Sequence, residues 1–276
     1  MNELQQTELE LLKEFIKICQ QLNLKYYLIC GSALGAVKYR GFIPWDDDID
    51  VALPREDYEA FIHKAQGLLS ENIFVQNYLT EPRFPKCFTK LRKTDTTYIE
   101  KSSQKLPIHH GVFIDIFPLD GYPADTREQQ YLEKLKKRYK LRLSCAFSYR
   151  YNLKARLFFF VERFFGVHKR TQKYTKLLDK LISAYSTEES KIWCNHGNWQ
   201  GKLDYAPKEW FGEGTKAEFE GLSVVVPEEY DKYLTQKYGD WRSDPPQDEQ
   251  RGHHDAVICD VTRPYTQYLI DGNIVK

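Results

Sequence analysis

Hydrophobic positions over residues 3–22 fall at helical spacing: Leu4, Leu11, Leu12, Phe15, Ile16, Ile18, Cys19 and Leu22. This predicts an amphipathic helix. The apolar run Tyr26-Tyr-Leu-Ile-Cys30 then reads as a buried strand, followed by a short helix over 32–39 and a loop over 41–44. Residues 49–53 form a second strand, with Pro54 opening a helix to about Gln66, because proline is tolerated at the first helical position. Three more strands are predicted over 73–79, 87–92 and 96–100. The run 112–117 is apolar on both sides of one acid, Asp115, and 118–121 closes it as a turn. Beyond residue 126 the pattern changes to long basic helices over 131–150, 153–167 and 171–185. Residues 195–214 read as irregular, 218–226 as a hairpin turning at Glu220-Gly221, and 227–238 as a last helix. The mixture predicts an α/β (α+β) fold. Its expected parts are a core (1–125), a helical insertion (126–200) and a C-terminal α/β extension packing on the core (201–276).

Chemistry concentrates where the first strands meet their turns. Asp48 and Asp50 are separated by one apolar residue, a spacing that turns both carboxylates to one face of a strand and Ile49 and Val51 to the core. Gly31-Ser32 follows the preceding strand, so its backbone N–H groups suit phosphate oxygens. Asp115 is a carboxylate in an otherwise buried strand, a costly position that demands a reason. Asp48, Asp50 and Asp115 together suit a divalent cation, Mg2+ or Mn2+, which takes a few carboxylates, waters and phosphate oxygens. Asp115 could also orient or deprotonate an attacking hydroxyl. Asp46 and Asp47 read as solvated turn residues, and Arg55 as an exposed first-turn residue. Lys38, Arg40, Lys90 and Arg92 either reach a diphosphate or stay solvated. The pairs His109-His110 and His253-His254 read as a base, a phosphate contact or solvated loop residues. Trp45, beside the acids, is a candidate substrate contact.

The wording of these segments is specific. Gly31-Ser-Ala-Leu-Gly-Ala-Val37, Arg40-Gly-Phe-Ile-Pro-Trp-Asp-Asp-Asp-Ile-Asp50 and Phe113-Ile-Asp-Ile-Phe-Pro-Leu-Asp-Gly121 resemble the LicD family, within the nucleotidyltransferase-like superfold. Pro54-Arg-Glu-Asp-Tyr58, Lys90-Leu-Arg92, Thr96-Thr-Tyr98, Val226-Pro-Glu-Glu-Tyr230, Tyr238-Gly-Asp-Trp241 and the stretch from Pro245-Pro246 to His254 extend the likeness. The resemblance implies a mixed-sheet nucleotidyltransferase-like core and a metal-dependent phosphocholine transferase. Such an enzyme uses CDP-choline and modifies a sugar hydroxyl of a bacterial surface glycan, a lipopolysaccharide or teichoic acid precursor. It implies catalytic and metal roles for Asp48, Asp50 and Asp115, and substrate contacts from Gly31, Ser32, Lys38, Trp45, Lys90, Arg92 and His254. Transfer of ribitol or glycerol phosphate, nucleotidyl transfer, and an inactive nucleotide-binding scaffold are the alternatives.

Composition narrows the partners. A formal net charge of +1 over 276 residues gives no basic field for nucleic acid. The six cysteines are scattered without a CxxC pair, which argues against a disulfide framework, and Cys194-Asn-His196 lacks a second pair to complete a zinc site. The start of the sequence lacks the basic and apolar run of a signal peptide, and a cytoplasmic protein is expected. Residues 153–170 combine an apolar stripe with basic flanks, which fits either core packing or an interfacial helix on anionic lipid near a lipid-linked acceptor.

Overall fold

The computed structural model describes residues 1–146, 167–197, 201–252, 255–270 and 273–274. The expected helix over 153–167, most of the 153–170 membrane candidate, and His253 and His254 lie outside these residues.

The first helix, α1 (Glu3–Leu22), starts at a reciprocal cap. The Asn2 side chain accepts from the Gln5 N–H, and the Gln5 side chain accepts from the Asn2 N–H. Then follow β1 (Tyr27–Leu28), α2 (Cys30–Leu34) and a π-helical turn, Gly35–Tyr39. β2 (Asp50–Pro54) leads into α3 (Arg55–Lys64), so Pro54 ends the strand and caps the helix instead of opening it. β3 (Ile73–Gln76), β4 (Thr89–Lys93), β5 (Thr97–Glu100) and β6 (Phe113–Gly121) follow. After α4 (Thr126–Ser144) and α5 (Val167–Ile182) come β7 (Ile192–Cys194), β8 (Tyr205–Pro207), β9 (Thr215–Phe219), β10 (Leu222–Val226), α6 (Tyr230–Tyr238) and β11 (Ala256–Asp260). Two short strands, β12 (Leu269–Ile270) and β13 (Asn273–Ile274), end the described chain.

Among the described residues the main sheet has seven strands, in the order β1-β2-β6-β4-β3, with β7 on the far end of β6 and β8 beside β7. Only β2 and β6 run parallel within it; the other pairs are antiparallel. The result is a mixed sheet in an α+β fold, as expected.

Strand alternation gives this sheet two chemically different faces. Val51, Leu53, Leu91, Ile114 and Ile116 are fully buried in the core that includes Leu12 and Phe15 of α1 and Phe61 of α3. The Tyr58 hydroxyl of α3 sits 2.7 Å from the Thr89 hydroxyl of β4 on that side. The opposite face carries Asp50, Lys90, Arg92 and Asp115.

Several expected boundaries shift for identifiable reasons. The segment 118–121 is strand, not turn, because Asp120 and Gly121 pair with Cys194 and Trp193 of β7. Asp120 also fixes Arg55, whose Nε and Nη2 donate to its two oxygens at 2.6 and 2.9 Å. Arg55 is therefore buried, not exposed, and its Nη1 reaches Glu59 and Asp179 of α5. α4 starts earlier than expected because Asp125 caps it, accepting from the Arg127 and Glu128 N–H groups. The region 195–214 is not wholly irregular, holding β8 and two 3-10 turns. The hairpin is where expected: Glu220 and Gly221 have φ of +49° and +78°, the left-handed pair that a tight two-residue turn requires. No helix among the described residues is long and apolar enough to cross a membrane.

Candidate active site

The site is a row of side chains across three strands. Asp50 of β2 is the register partner of Asp115 of β6, and Asp115 is the partner of Lys90 of β4. Directly paired residues project from the same side of a sheet, so the three line up on the face opposite Val51, Leu91 and Ile114. The Lys90 Nζ lies 2.9 Å from Asp115 Oδ1 and 3.8 Å from Glu100. It also sits 3.1 Å from the centre of the Phe113 ring. Lys90 is fully buried, and burial pulls its ammonium down to about 8, against the upward pull of Asp115 and Glu100. The reason for an acid inside β6 is thus an ion pair with an equally buried lysine.

Arg92 shares that face but turns inward. Its Nε donates to Gln76 at 2.8 Å and its Nη1 to the Gly111 carbonyl at 2.6 Å. Its guanidinium lies over Phe113 and faces Glu100 at 3.7 Å. The geometry gives it the work of holding Glu100 and the start of β6, while Lys90 is the member of the pair beside Asp115.

Asp48 lies just before β2, not on it. The ladder begins at Ile49, whose carbonyl accepts from the Asp115 N–H at 2.8 Å. Asp48 instead groups with Asp46 and Asp47: one carboxylate oxygen of each lies within 4.8 Å of the others. Asp46 and Asp47 therefore belong to the acidic centre and are not solvated turn residues. Burial and the neighbouring Asp48 carboxylate raise Asp46 well above the usual carboxylate range.

The turn before β2 is tied to this centre. Ser32 is buried, and its hydroxyl accepts from the Asp50 N–H at 2.8 Å. A Cβ on Gly31 would stand 2.6 Å from Asp46 Oδ2, so glycine lets the acid lie against the backbone. Cys30 holds φ at +51°, an uncommon conformation for a side chain that is not glycine, with its N–H donating to the Tyr233 hydroxyl of α6. Lys38 lies off this centre, its ammonium 2.5 Å from Asp244. Half-buried Trp45 sits edge-on to Tyr39, ring centres 6.2 Å apart. The hairpin tip closes the loop from outside, the Glu220 side chain accepting from the Phe42 N–H at 3.2 Å. Gly252 crosses the outer side, where a Cβ would stand 2.6 Å from Asp47 Oδ2.

One further acid escaped the sequence reading. Glu8 of α1 is 2% exposed, and burial together with the Asp48, Asp47, Asp46 and Asp115 charges pushes its carboxyl well above the ordinary range. The signal was present: Glu8 stands four residues from both Leu4 and Leu12, in line with the buried stripe of α1. Glu100, a buried acid at the end of β5, was also missed. His109 and His110 are buried as well, and neither is a solvated loop residue.

The donor set fits a hard divalent cation. The Asp46–Asp48 centre offers three carboxylates, and among the described residues the nearly buried Glu8 Oε2 has no hydrogen-bond partner. Oxygen-only sites of this kind suit Mg2+ or Mn2+.

Comparison with known proteins gives the family. The model of the LicD/FKTN/FKRP nucleotidyltransferase domain matches residues 23–158, which contain Gly31, the Asp46–Asp50 segment, Lys90 and Asp115. The lipopolysaccharide cholinephosphotransferase LicD of Haemophilus influenzae is 30% identical over 260 residues, covering 89% of this chain and 92% of that protein. An uncharacterized protein of Rickettsia prowazekii is 30% identical over 130 residues, 46% of this chain and 44% of its own length. The chain belongs to the LicD family.

Proposed function

We propose that this protein transfers phosphocholine from CDP-choline to a sugar hydroxyl of a bacterial surface glycan, with a divalent cation at the acidic centre. The likeness to a lipopolysaccharide cholinephosphotransferase along almost the whole of both chains supports the transferred group. The observation that carries the chemistry is the in-register row Asp50–Asp115–Lys90.

In this reading the acceptor oxygen attacks the phosphorus that bears choline, the phosphoanhydride bond breaks, and CMP leaves. Asp115 orients the attacking hydroxyl and receives its proton, and Lys90 holds that carboxylate in position. Gly31 and Ser32 line the diphosphate, and Lys38 reaches it by exchanging Asp244 for a phosphate oxygen. Asp46, Asp47, Asp48, Asp50 and Asp115 are the residues that would hold the cation, which supplies charge neutralisation at the diphosphate. Arg92 keeps Glu100 and Gly111 in place, and His254 is a further candidate contact. A quaternary ammonium is best held by aromatic faces, and the Tyr39–Trp45 pair beside the acids offers them. Contact with an anionic membrane, where a lipid-linked acceptor would lie, is supported by the basic flanks of 153–170. Flotation with phosphatidylglycerol vesicles tests it, and a chain left at the bottom of the gradient counts against it.

The deciding experiment is turnover with a panel of CDP-linked alcohols. CMP release with phosphocholine incorporation is expected, and Asp50→Asn or Asp115→Asn should abolish it with an unchanged circular dichroism spectrum. Diphosphate release, preference for another alcohol, or wild-type activity in either variant refutes the assignment.

A further inference from the structure

The acidic centre draws on a part of the chain that lies outside the segment matched by the family domain. α1 ends at Leu22, and the match begins at residue 23. Yet the first turns of α1 are directed at the Asp46–Asp48 loop. The Gln5 side chain, itself 5% exposed, donates to the Asp46 carbonyl at 3.1 Å. Glu8 is three residues further along, on the same helix face. Its side chain is almost wholly buried, and its Oε2 has no hydrogen-bond partner among the described residues. Burial first, and then the Asp48, Asp47, Asp46 and Asp115 charges, raise its carboxyl well above the ordinary range.

A buried acid with an unsatisfied oxygen, on the helix face that meets the Asp46–Asp48 loop, is a poor device for stability. Burial of a polar atom without a partner costs stability, and surrounding carboxylates add repulsion. A glutamine would fill the same space without a charge. The position makes physical sense when something positive joins the group. The reciprocal cap at Asn2 and Gln5 fixes the start of the helix, so the carboxylate is held without further ordering.

We propose that Glu8 belongs to the cation site of this enzyme, a carboxylate supplied by the N-terminal helix that binds the divalent ion together with the Asp46–Asp48 centre. The inference rests on the cation reading above and assigns the site a residue from outside the matched domain. It also gives α1 a second task besides covering the sheet: binding of the ion ties the helix to the β2 loop.

The test is Mn2+ binding to the full chain, followed by calorimetry and by the electron paramagnetic resonance signal of the free ion, for wild type and Glu8→Gln. Loss of a group that only supports a metal's ligands already weakens binding by roughly ten- to a hundredfold, and a loss of at least about tenfold is expected here. Without added cation, Glu8→Gln should melt at or above the wild-type temperature. Equal Mn2+ affinity in the two proteins overturns the role of Glu8 and leaves the cation site standing. A wild-type chain that binds no Mn2+ overturns both. A Glu8→Gln chain that melts lower without cation, or does not fold, also overturns the proposal, because the carboxylate would then have a structural task.

Discussion

Acidification offers a stringent test of how the start of β6 is held. His109 and His110 precede Gly111 and the strand that carries Asp115, and both are buried. The His109 Nδ1 accepts from the Gly111 N–H at 3.0 Å, so this nitrogen must stay unprotonated. The His110 Nε2 faces the Leu106 carbonyl at 3.1 Å and donates to it as the neutral tautomer. That leaves its Nδ1 buried without a partner among the described residues. Burial is the main reason both imidazoles resist charge, and the Arg92 guanidinium adds to it; His109 falls to about 3 and His110 to about 4. The Leu106 carbonyl and, after it, Glu100 pull His110 the other way.

The sign follows from proton uptake. In the unfolded chain both imidazoles titrate near the ordinary 6.5. Between that value and the folded ones, the unfolded state binds more protons, so stability is lost as pH falls below 6.5. Between pH 7 and pH 5 each imidazole removes roughly 2 kcal/mol, about 4 kcal/mol for the pair. Urea unfolding of wild type and His109→Gln at both pH values isolates one share. The glutamine amide can take the Gly111 N–H but cannot titrate, and slopes due to other groups cancel in the comparison. The variant should lose roughly 2 kcal/mol less than wild type on going from pH 7 to pH 5. Identical losses refute the argument that His109 is held neutral.

Two other outcomes test separate parts of the molecule. Asp120→Asn leaves the buried Arg55 without its main counter-charge, and breaking such a pair should cost about 3–5 kcal/mol, read from the urea midpoint; a loss below about 1 kcal/mol, the range of an exposed pair, contradicts this. If Trp45 cradles choline, Trp45→Leu should raise KM for CDP-choline by roughly three- to thirtyfold, the range of a cation–π contact. The same variant should leave KM for CDP-glycerol unchanged, and equal effects on both donors would remove Trp45 from the choline site.

What was legible in the sequence was local. The apolar residues of β2 and those flanking Asp115 in β6 gave these strands, and the Glu220-Gly221 pair gave the hairpin, because strand burial and turn stereochemistry are written in neighbouring residues. Pro118 and Gly121 were misleading for the same reason: turn-forming residues were read without β7, whose pairing partners come some seventy residues later. Arg55 read as an exposed residue and Asp120 as part of a turn, and only their meeting across α3 and β6 buries both. Glu8 and Glu100 carried a faint mark, an acid in line with apolar neighbours, which acquires meaning only once the sheet brings the other carboxylates nearby.

The same contrast explains how the acidic loop holds its shape. The row Asp50–Asp115–Lys90 is fixed by backbone ladders and needs no outside help. The segment from Gly41 to Asp48 has no ladder of its own, and its fastenings come from distant parts of the chain. Gln5 holds the Asp46 carbonyl, Glu220 holds the Phe42 N–H, and Tyr98 reaches Asp47 at 3.4 Å. Substitutions at Gln5 or Glu220 therefore reach the acidic centre through the loop, by moving it against the row fixed by the ladders.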